Sequence, residues 1–471
     1  MQVINQCDNS VYLNDIDIIV PFDPTGRPFE IPDHLAKKSI ILAVSLAKGM
    51  LSDPEKGEAT PGAFAKRKSM LCDDAPKLGP DEPKKLKNEI FPEATYAVWH
   101  GPSCDYGGYA NMNRRFMFGL RERGVKLRYD KISSINDADA DTMKKLTRMT
   151  AVKVPMWAPK VYGMTAPLHY DWARYKMLFT MMETRRLHHH YTERCNCADE
   201  IVVPSNWCAE TFRESGVKKP IRVVPLGVDT HLYQPGADPI GFSQSLKDFV
   251  FVSVFGWSMR KGYDVLLKAY FEEFTSDDPV SLLIMSRYYG STDESKKKKI
   301  RDDIQRIASL VSNPKKPHVM LFGDTLSEEM MPALYAAADC YVLISRGEGF
   351  GLPYCEAAAC GLPVIASRYS GQTDFLDDEN SYLVDVDGFQ VADKGIAWIS
   401  YFYEGQEFPI LGPKAVEQTR AHMRSVFEDP ELAQKKADLL RNKIVKEYDW
   451  SVGISKMHDE LKRVNEERKT K

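Results

Sequence analysis

The sequence predicts an α/β protein in which two doubly wound domains follow an N-terminal extension. The chain has 471 residues, which is too many for one ordinary core. Short apolar strands alternate with helical segments, and this alternation starts again at residue 249. The run DDAPKLGPDEPKKLKNE has the composition of an exposed connector. We therefore predict an extension and linker over 1–92, Rossmann-like domains over 93–240 and 241–429, and C-terminal helices over 430–471.

The first domain opens with a predicted βαβ unit. The strand ATYAVWHGP is followed by a turn at Gly107 and Gly108. Apolar residues at Met112, Phe116 and Leu120 then indicate a helix, which Gly124 ends before the strand VKLRYD. Further strands are predicted at KMLFT, EIVVPS and IRVVPLG.

The second domain repeats this pattern. The apolar strand FVFVSVFGW precedes a helix, GYDVLLKAYFEEF, and VSLLIMSR, HVMLFGD, CYVLIS, PVIAS and SYLVD are predicted as further strands. Strands that alternate with helices favour a parallel sheet in each half.

Composition excludes several classes of protein. The formal net charge is −3, so the total charge provides no attraction to nucleic acid or anionic membrane. The nine cysteines are odd in number and form no C-x-x-C pair, which indicates reduced thiols and argues against zinc. The N-terminus lacks the pattern of a signal peptide, and the longest apolar run, residues 39–51, is too short to span a bilayer. We expect a cytoplasmic protein.

The stretch RGEGFGLPYCEAAAC carries two acids around a glycine-rich loop. The loop follows a strand and leads into a helix whose first turn contains Pro353. Unpaired N–H groups and the helix dipole make such a helix start a site for anions. We expect Glu348 on the loop and Glu356 in the first turn to reach one ligand, for which a sugar nucleotide is suitable. Alternatively, Glu356 only complements the dipole and Glu348 is a surface acid.

Arg260 and Lys261 also lie between a strand and a helix. Cations are unfavourable at a helix N-terminus, and a bound anion would reverse that effect. The pair is therefore interpreted as a phosphate site. The alternative is that both side chains point into water.

Four motifs in this order resemble retaining GT-B glycosyltransferases of family 4, also described as glycosyl transferases group 1. EGFGLPYCEAAACGLPVIAS resembles their E-x7-E region, and RKGYDVLLKAY resembles their phosphate-binding segment. VVPLGVDTHLYQP resembles the segment that joins their domains, and YGGYANMNRR resembles their N-domain glycine loop. The resemblance covers about residues 94–460 and implies that the last helix crosses back to the first domain near YDWS, residues 448–451.

The resemblance implies roles for individual residues. Glu348 would lie beside the donor sugar, Glu356 would bind the ribose, and Arg260 and Lys261 would hold the diphosphate. The remaining donor contacts would be the N–H groups of Phe350, Gly351 and Leu352 and the N-domain loop of Gly107 and Gly108.

The chain departs from the family at three places. Trp257 follows Gly256, where the family often has Arg, so Arg260 is expected to replace it. The usual N-domain His is not evident, and Glu183 is expected to face the acceptor, with His169 as another candidate that is alternatively a structural histidine. Asp374 stands where the family commonly has Glu and is expected near the donor sugar.

The run His188–His190 is not expected to bind metal, because consecutive helical residues face different ways.

The resemblance implies a retaining glycosyltransferase that uses a nucleoside-diphosphate sugar, with a UDP- or GDP-sugar expected, and needs no cofactor or essential metal. The acceptor stays open among a glycan, a lipid, a protein and modified nucleic acid. A lipid acceptor would bring peripheral membrane association, for which no strong helix is evident. Alternatives are a GT-B epimerase or phosphorylase and a non-catalytic sugar-nucleotide-binding, virion or interaction protein. The oligomeric state and the role of residues 1–92 stay open.

Overall fold

The computed structural model describes residues 93–104, 107–131, 138–163, 173–242, 245–288, 293–392, 403 and 405–469, together with five short strands near the N-terminus. The chain divides into two compact units, Met1–Asn88 and Glu89–Lys471. The first unit contains the strand order β4-β1-β5 and the pair β2-β3. Most of the predicted linker lies outside the described residues. The strands are β1 Gln2–Asn5, β2 Val11–Leu13, β3 Ile18–Val20, β4 Phe29–Glu30 and β5 Leu51–Ser52.

The second unit begins with a six-stranded sheet in the order β11-β10-β9-β8-β6-β7. Its strand pairs are parallel, and its central strands are buried on both faces, as expected for a sheet covered by helices. The predicted βαβ unit is confirmed. The strands are β6 Tyr96–His100, β7 Lys126–Asp130, β8 Lys160–Tyr162, β9 Lys176–Phe179, β10 Glu200–Val203 and β11 Ile221–Val223.

Helices of the first domain begin and end at residues suited to those positions. Met112, Phe116 and Leu120 form the buried stripe of the first helix, and Gly124 follows it with φ +87°. Ser205 caps the fourth helix by accepting a hydrogen bond from the N–H of Cys208. The helices are α1 Gly108–Glu122, α2 Ala140–Thr150, α3 His189–Asn196 and α4 Asn206–Glu214.

The second sheet is also parallel and has the order β14-β13-β12-β15-β16-β17. The strand order reverses between β12 and β15, and ligands of doubly wound sheets bind beyond the carboxyl ends of the strands at this point. The two-domain GT-B architecture is confirmed. The strands are β12 Phe249–Gly256, β13 Val280–Arg287, β14 His318–Phe322, β15 Cys340–Leu343, β16 Val364–Ser367 and β17 Tyr382–Val384.

Helices α5 to α8 belong to this second domain, and an antiparallel hairpin follows its last strand. Asp387 accepts hydrogen bonds from the N–H groups of Gly412, Lys414 and Ala415, which fixes the base of the hairpin to the next helix. The elements are α5 Tyr263–Glu273, α6 Glu294–Leu310, α7 Met331–Tyr335, α8 Leu352–Ala359, β18 Gly388–Val391 and β19 Glu407–Ile410.

Of the C-terminal helices, the last one returns to the first domain, whereas the two before it pack on α5 and α8 of the second domain. Val228 and Asp449 form a β-bridge, and the last helix begins one residue later, within the predicted crossing segment. At its far end, Asn465 bonds both the N–H and the carbonyl of Tyr96, at 2.8 and 3.0 Å. These contacts tie both ends of the last helix to the first domain. The helices are α9 Pro413–Glu428, α10 Pro430–Glu447 and α11 Trp450–Lys469.

Among the residues that the structure describes, no helix has both the length and the apolar character needed to cross a membrane.

We predict that Gly453→Ala destabilises the protein although alanine is the better helix former. The gain in propensity is about 1 kcal/mol, but a Cβ at this position would lie 2.2 Å from the backbone carbonyl oxygen of Pro225. Overpacking of this kind costs about 1–3 kcal/mol, so the melting temperature should fall. Differential scanning calorimetry measures the shift, with Glu466→Ala on an exposed part of α11 as the control. An unchanged or higher melting temperature for Gly453→Ala would show that the helix can move away from Pro225.

Candidate active site

The candidate site lies at the carboxyl ends of β12 and β15, where the strand order of the second sheet reverses. The turn after β12 carries Arg260 and Lys261, and the loop after β15 carries Glu348. Arg346 joins the two segments, because it forms a bidentate ion pair with Asp264 in which both distances are 2.8 Å. The fold therefore brings together side chains almost ninety positions apart in sequence.

Lys261 and Glu348 form a buried ion pair. The Lys261 Nζ lies 2.6 and 2.8 Å from the two carboxylate oxygens of Glu348, and the side chains are 14% and 9% exposed. Arg260 lies beside this pair, with Nη1 3.8 Å from Glu348 Oε2, and donates a hydrogen bond to the carbonyl of Gly347. Glu348 therefore pairs with both cations, and their assignment to a phosphate stays a prediction. The alternative that they point into water is wrong, because their side chains are mostly buried.

Burial and ion pairing act against each other in this cluster. Burial raises the pKa of Glu348, but Lys261 and Arg260 outweigh it and hold that pKa below the usual range. Burial lowers the pKa of Lys261 in spite of Glu348, with Arg260 contributing in the same direction. Burial also opposes the charge of Arg260, but Glu183 and Glu348 raise its pKa above the ordinary value. Glu348 is therefore an ionised carboxylate at neutral pH.

Glu183 enters this cluster from the first domain, just beyond β9. Its Oε1 lies 3.7 Å from Arg260 Nη1, and its Oε2 accepts a hydrogen bond of 2.6 Å from the hydroxyl of Tyr403. The structure thus places Glu183 opposite Glu348, with Arg260 between the two carboxylates.

The glycines of the loop permit contact between the domains. A Cβ on Gly347 would lie 2.3 Å from the carbonyl oxygen of Glu183, and one on Gly349 would lie 2.6 Å from the Met181 side chain. Gly351 has φ +103°, a conformation that favours glycine. Gly347 and Gly349 thus allow the loop to approach the neighbouring domain closely.

The start of α8 directs backbone donors into the same region. The N–H groups of Phe350, Gly351 and Leu352 have no hydrogen-bond acceptor among the residues that the structure describes. The Phe350 ring packs against Phe375 and Tyr448, with centroids 5.5 and 5.9 Å away. This packing fixes the loop that presents the donors, as an anion site requires.

Glu356 is the fifth residue of α8, so the expectation that it lies in the first turn is wrong. The hydroxyl of Tyr335 donates a hydrogen bond of 2.8 Å to Glu356 Oε2. Burial raises the pKa of Glu356 to about 7, and the nearby Glu328 adds to this while Tyr335 and Arg115 oppose it. Burial raises the pKa of Tyr341 on β15 well above its usual value, and the nearby Glu348 and Glu356 both add to this.

A second set of charges joins the domains near Glu356. Arg115 on α1 pairs with Glu328 of the second domain, and its Nη1 also lies 3.5 Å from Asp229 in the connecting segment. Arg115 ends the segment YGGYANMNRR but was given no role there, and Tyr335 lies in none of the quoted motifs.

Asp374 uses its carboxylate to contact the first domain. It accepts hydrogen bonds from the N–H groups of Asn206 and Trp207 at 2.6 and 3.2 Å, and from the Asn206 side chain at 3.1 Å. Asp374 therefore caps α4 from the other domain. We had expected Asp374 near the donor sugar, and that expectation did not include this contact. A cavity of about 350 Å³ lies beside this contact, and its lining includes Asp374, Tyr448 and Lys456 but not Lys261 or Glu348.

The other candidates lie at or near the first sheet. Gly107 precedes α1, and a Cβ on Gly108 would have open space around it. The hydroxyl of the neighbouring Tyr109 forms hydrogen bonds with the Thr180 hydroxyl and the Met181 N–H, both at 3.2 Å. Met181 lies two residues before Glu183.

His169 lies outside the described residues. No group of metal-binding side chains occurs among the residues that were placed, which include His188–His190.

Comparison with known proteins identifies similar chains. Residues 247–399 match the family model described as Glycosyl transferases group 1. Mannosylfructose-phosphate synthase of Agrobacterium fabrum is 25% identical over 50% of this chain and 51% of its own length. D-inositol 3-phosphate glycosyltransferase of Acidothermus cellulolyticus is 29% identical over 36% of this chain and 38% of its own. The chain thus spans about half the length, or less, of these curated relatives.

Solved structures share the fold at low sequence identity. Sucrose-phosphate synthase from Thermosynechococcus elongatus has a TM-score of 0.57 and 17% identity, covering 79% of this chain and 99% of its own. Anabaena HepE in complex with UDP and glucose has a TM-score of 0.55 and 13% identity, covering 78% of this chain and 100% of its own. The two-domain architecture therefore matches known GT-B structures.

We predict that Lys261→Met lowers the free energy of unfolding by about 3 kcal/mol, because it leaves the buried Glu348 carboxylate without its closest partner. Adding Glu348→Gln should recover part of this loss, since the uncompensated charge disappears. Thermal unfolding at pH 7 measures both effects. Lys298→Met, which breaks an exposed pair with Asp302 at 2.6 Å, serves as the control and should have little effect. Equal melting temperatures for wild type and Lys261→Met would contradict the prediction.

Proposed function

Since residues 247–399 carry a domain of the Glycosyl transferases group 1 family and the chain has the GT-B fold, we propose that this protein is a retaining glycosyltransferase. It moves a sugar from a nucleoside-diphosphate sugar to an acceptor. The observation that carries the proposal is the joint position of Lys261, Arg260 and Glu348 near the N–H groups at the start of α8, for which the described part of the chain provides no acceptor. Cations, backbone donors and one carboxylate are what a diphosphate linked to a reacting sugar requires.

In this proposal the diphosphate takes over the cations that Glu348 and Glu183 contact in the structure. Arg260, Lys261 and the N–H groups at the start of α8 neutralise the leaving phosphate, so no metal ion is needed. Glu348, released from Lys261, lies beside the sugar and stabilises the positive charge that develops at the anomeric carbon. Glu356 accepts hydrogen bonds from the ribose hydroxyls.

The transfer breaks the bond between the anomeric carbon and the phosphate oxygen and forms a bond from that carbon to an acceptor oxygen on the same face. The acceptor proton passes to the departing phosphate oxygen. Glu183 faces this acceptor from the first domain, and closure of the two domains excludes water from the reacting atoms. A non-catalytic protein with the same geometry would also bind the donor. Turnover therefore distinguishes a transferase from a binding protein.

The first experiment screens UDP-, GDP- and ADP-sugars by thermal shift and by hydrolysis. Anabaena HepE was solved with UDP-glucose, which makes this donor the first probe. We expect one donor class to stabilise the wild type and to be hydrolysed slowly. Lys261→Ala should weaken binding at least tenfold, because it removes a phosphate-binding cation. Glu348→Ala should retain binding and lose turnover by about a hundredfold, as expected when an electrostatic stabiliser is removed.

Two other results of this screen would change the assignment. Binding without hydrolysis or transfer by the wild type would support the non-catalytic alternative. A protein that no sugar nucleotide stabilises would contradict the proposed donor site.

Donor affinity should depend on pH through Glu356. Ribose hydroxyls donate to the ionised carboxylate, and the pKa of Glu356 is about 7, so binding should strengthen as the pH rises through that value. With a single titrating group, affinity should increase about tenfold from pH 6 to pH 8. Isothermal titration calorimetry at these pH values measures the effect. Glu356→Gln should remove it, whereas Glu466→Gln on the exposed part of α11 should retain it, and a flat wild-type profile would contradict the assignment.

A further inference from the structure

Tyr403 contributes to the candidate site although no sequence motif includes it. Its hydroxyl donates a hydrogen bond of 2.6 Å to Glu183 Oε2, while the other oxygen of that carboxylate faces Arg260 at 3.7 Å. Burial and the neighbouring Glu183 hold the pKa of Tyr403 well above its usual value. The hydroxyl therefore stays protonated and remains a donor at neutral pH.

Tyr403 contacts the well-packed β18–β19 hairpin of the second domain. The N–H of Gln406 bonds the Tyr403 carbonyl at 3.0 Å, and the Tyr403 ring packs on Phe408 in β19, with centroids 5.5 Å apart. Phe408 is fully buried, and Asp387 anchors the base of the β18–β19 hairpin to α9. The tyrosine is thus held in place independently of the carboxylate that it contacts.

The hairpin also contacts the first domain directly beside Glu183. The Arg185 N–H bonds the Glu407 carbonyl at 3.1 Å, and its guanidinium pairs with the Glu407 carboxylate at 3.4 Å. The same guanidinium lies over the Phe389 ring, 4.6 Å from its centroid. Backbone, charge and ring contacts therefore fix the segment Glu183–Arg185 against both strands of the hairpin.

We propose that Tyr403 is a positioning residue for Glu183 and that the β18–β19 hairpin completes the active site from the second domain. This inference rests on the glycosyltransferase function proposed above. Arg260 and Tyr403 each contact one oxygen of the Glu183 carboxylate. Once a donor diphosphate engages Arg260, Tyr403 is the partner that keeps the carboxylate directed at the acceptor. A neutral donor is suited to this role, since it does not compete for the phosphate.

The test is a double-mutant cycle with the donor that the thermal-shift screen identifies. Tyr403→Phe removes only the hydroxyl, Glu183→Gln removes the charge, and the third variant combines both. We expect Tyr403→Phe to lower kcat about tenfold while the donor KM changes less than twofold, because the donor contacts are intact. In the Glu183→Gln background, Tyr403→Phe should cause little further loss, because the residue acts through Glu183.

Tyr270→Phe provides the matched control. It removes another buried hydroxyl, which bonds the His318 carbonyl at 2.8 Å within the core of the second domain. This variant should lower the melting temperature without changing kcat.

Three outcomes would overturn the inference: an unchanged kcat for Tyr403→Phe, losses that multiply in the double variant, or an equal loss of kcat in Tyr270→Phe. A wild type without turnover would overturn the proposed function, and this inference with it. An active wild type with an unaffected Tyr403→Phe would overturn this inference alone.

Discussion

The site depends on a buried cluster of four charges that no single element supplies. Arg260 and Lys261 come from the turn after β12, Glu348 from the loop after β15, and Glu183 from the other domain. Burying ionised groups costs several kcal/mol each unless partners with good geometry are present. Removing any one member leaves an uncompensated charge. The cluster therefore constrains the relative position of the two loops and couples the first domain to the site chemistry.

This coupling explains why the loop around Glu348 is so rich in glycine. Gly347 and Gly349 are required where the loop passes the segment Met181–Glu183 of the other domain, and Gly351 is required by its backbone conformation. The loop thus combines a domain contact with a helix start whose first N–H groups have no acceptor among the residues that the structure describes. If substitution of Gly347 or Gly349 lowers activity, the main cause would therefore be the disrupted contact between the domains, and weaker ligand binding would be a secondary cause.

Sequence patterns predicted the fold well, because strand and helix periodicity are local signals and glycine marks the ends of α1 and α8. They also selected Glu348, Lys261 and Glu183, which the structure brings together. Local patterns do not encode which charges pair with each other, so the contacts of Arg260 and Lys261 with Glu348 and Glu183 were not predicted. The direction of the Asp374 carboxylate and the contribution of Tyr403 depend on contacts between residues about 170 and 220 positions apart, for which sequence offers no signal.

The cap that Asp374 places on α4 has a thermodynamic consequence. Removing a capping group from a helix start costs about 1 kcal/mol, and α4 has one such group in its own domain, Ser205, and a second, Asp374, in the opposite domain. Separation of the domains would therefore weaken the first turn of α4 at the same time as it exposes the cleft. A ligand that favours the closed form should, by reciprocity, slow local opening of the α4 amides at Asn206 and Trp207. These two amides lie outside the charge cluster, but their local opening would become slower when a ligand binds there.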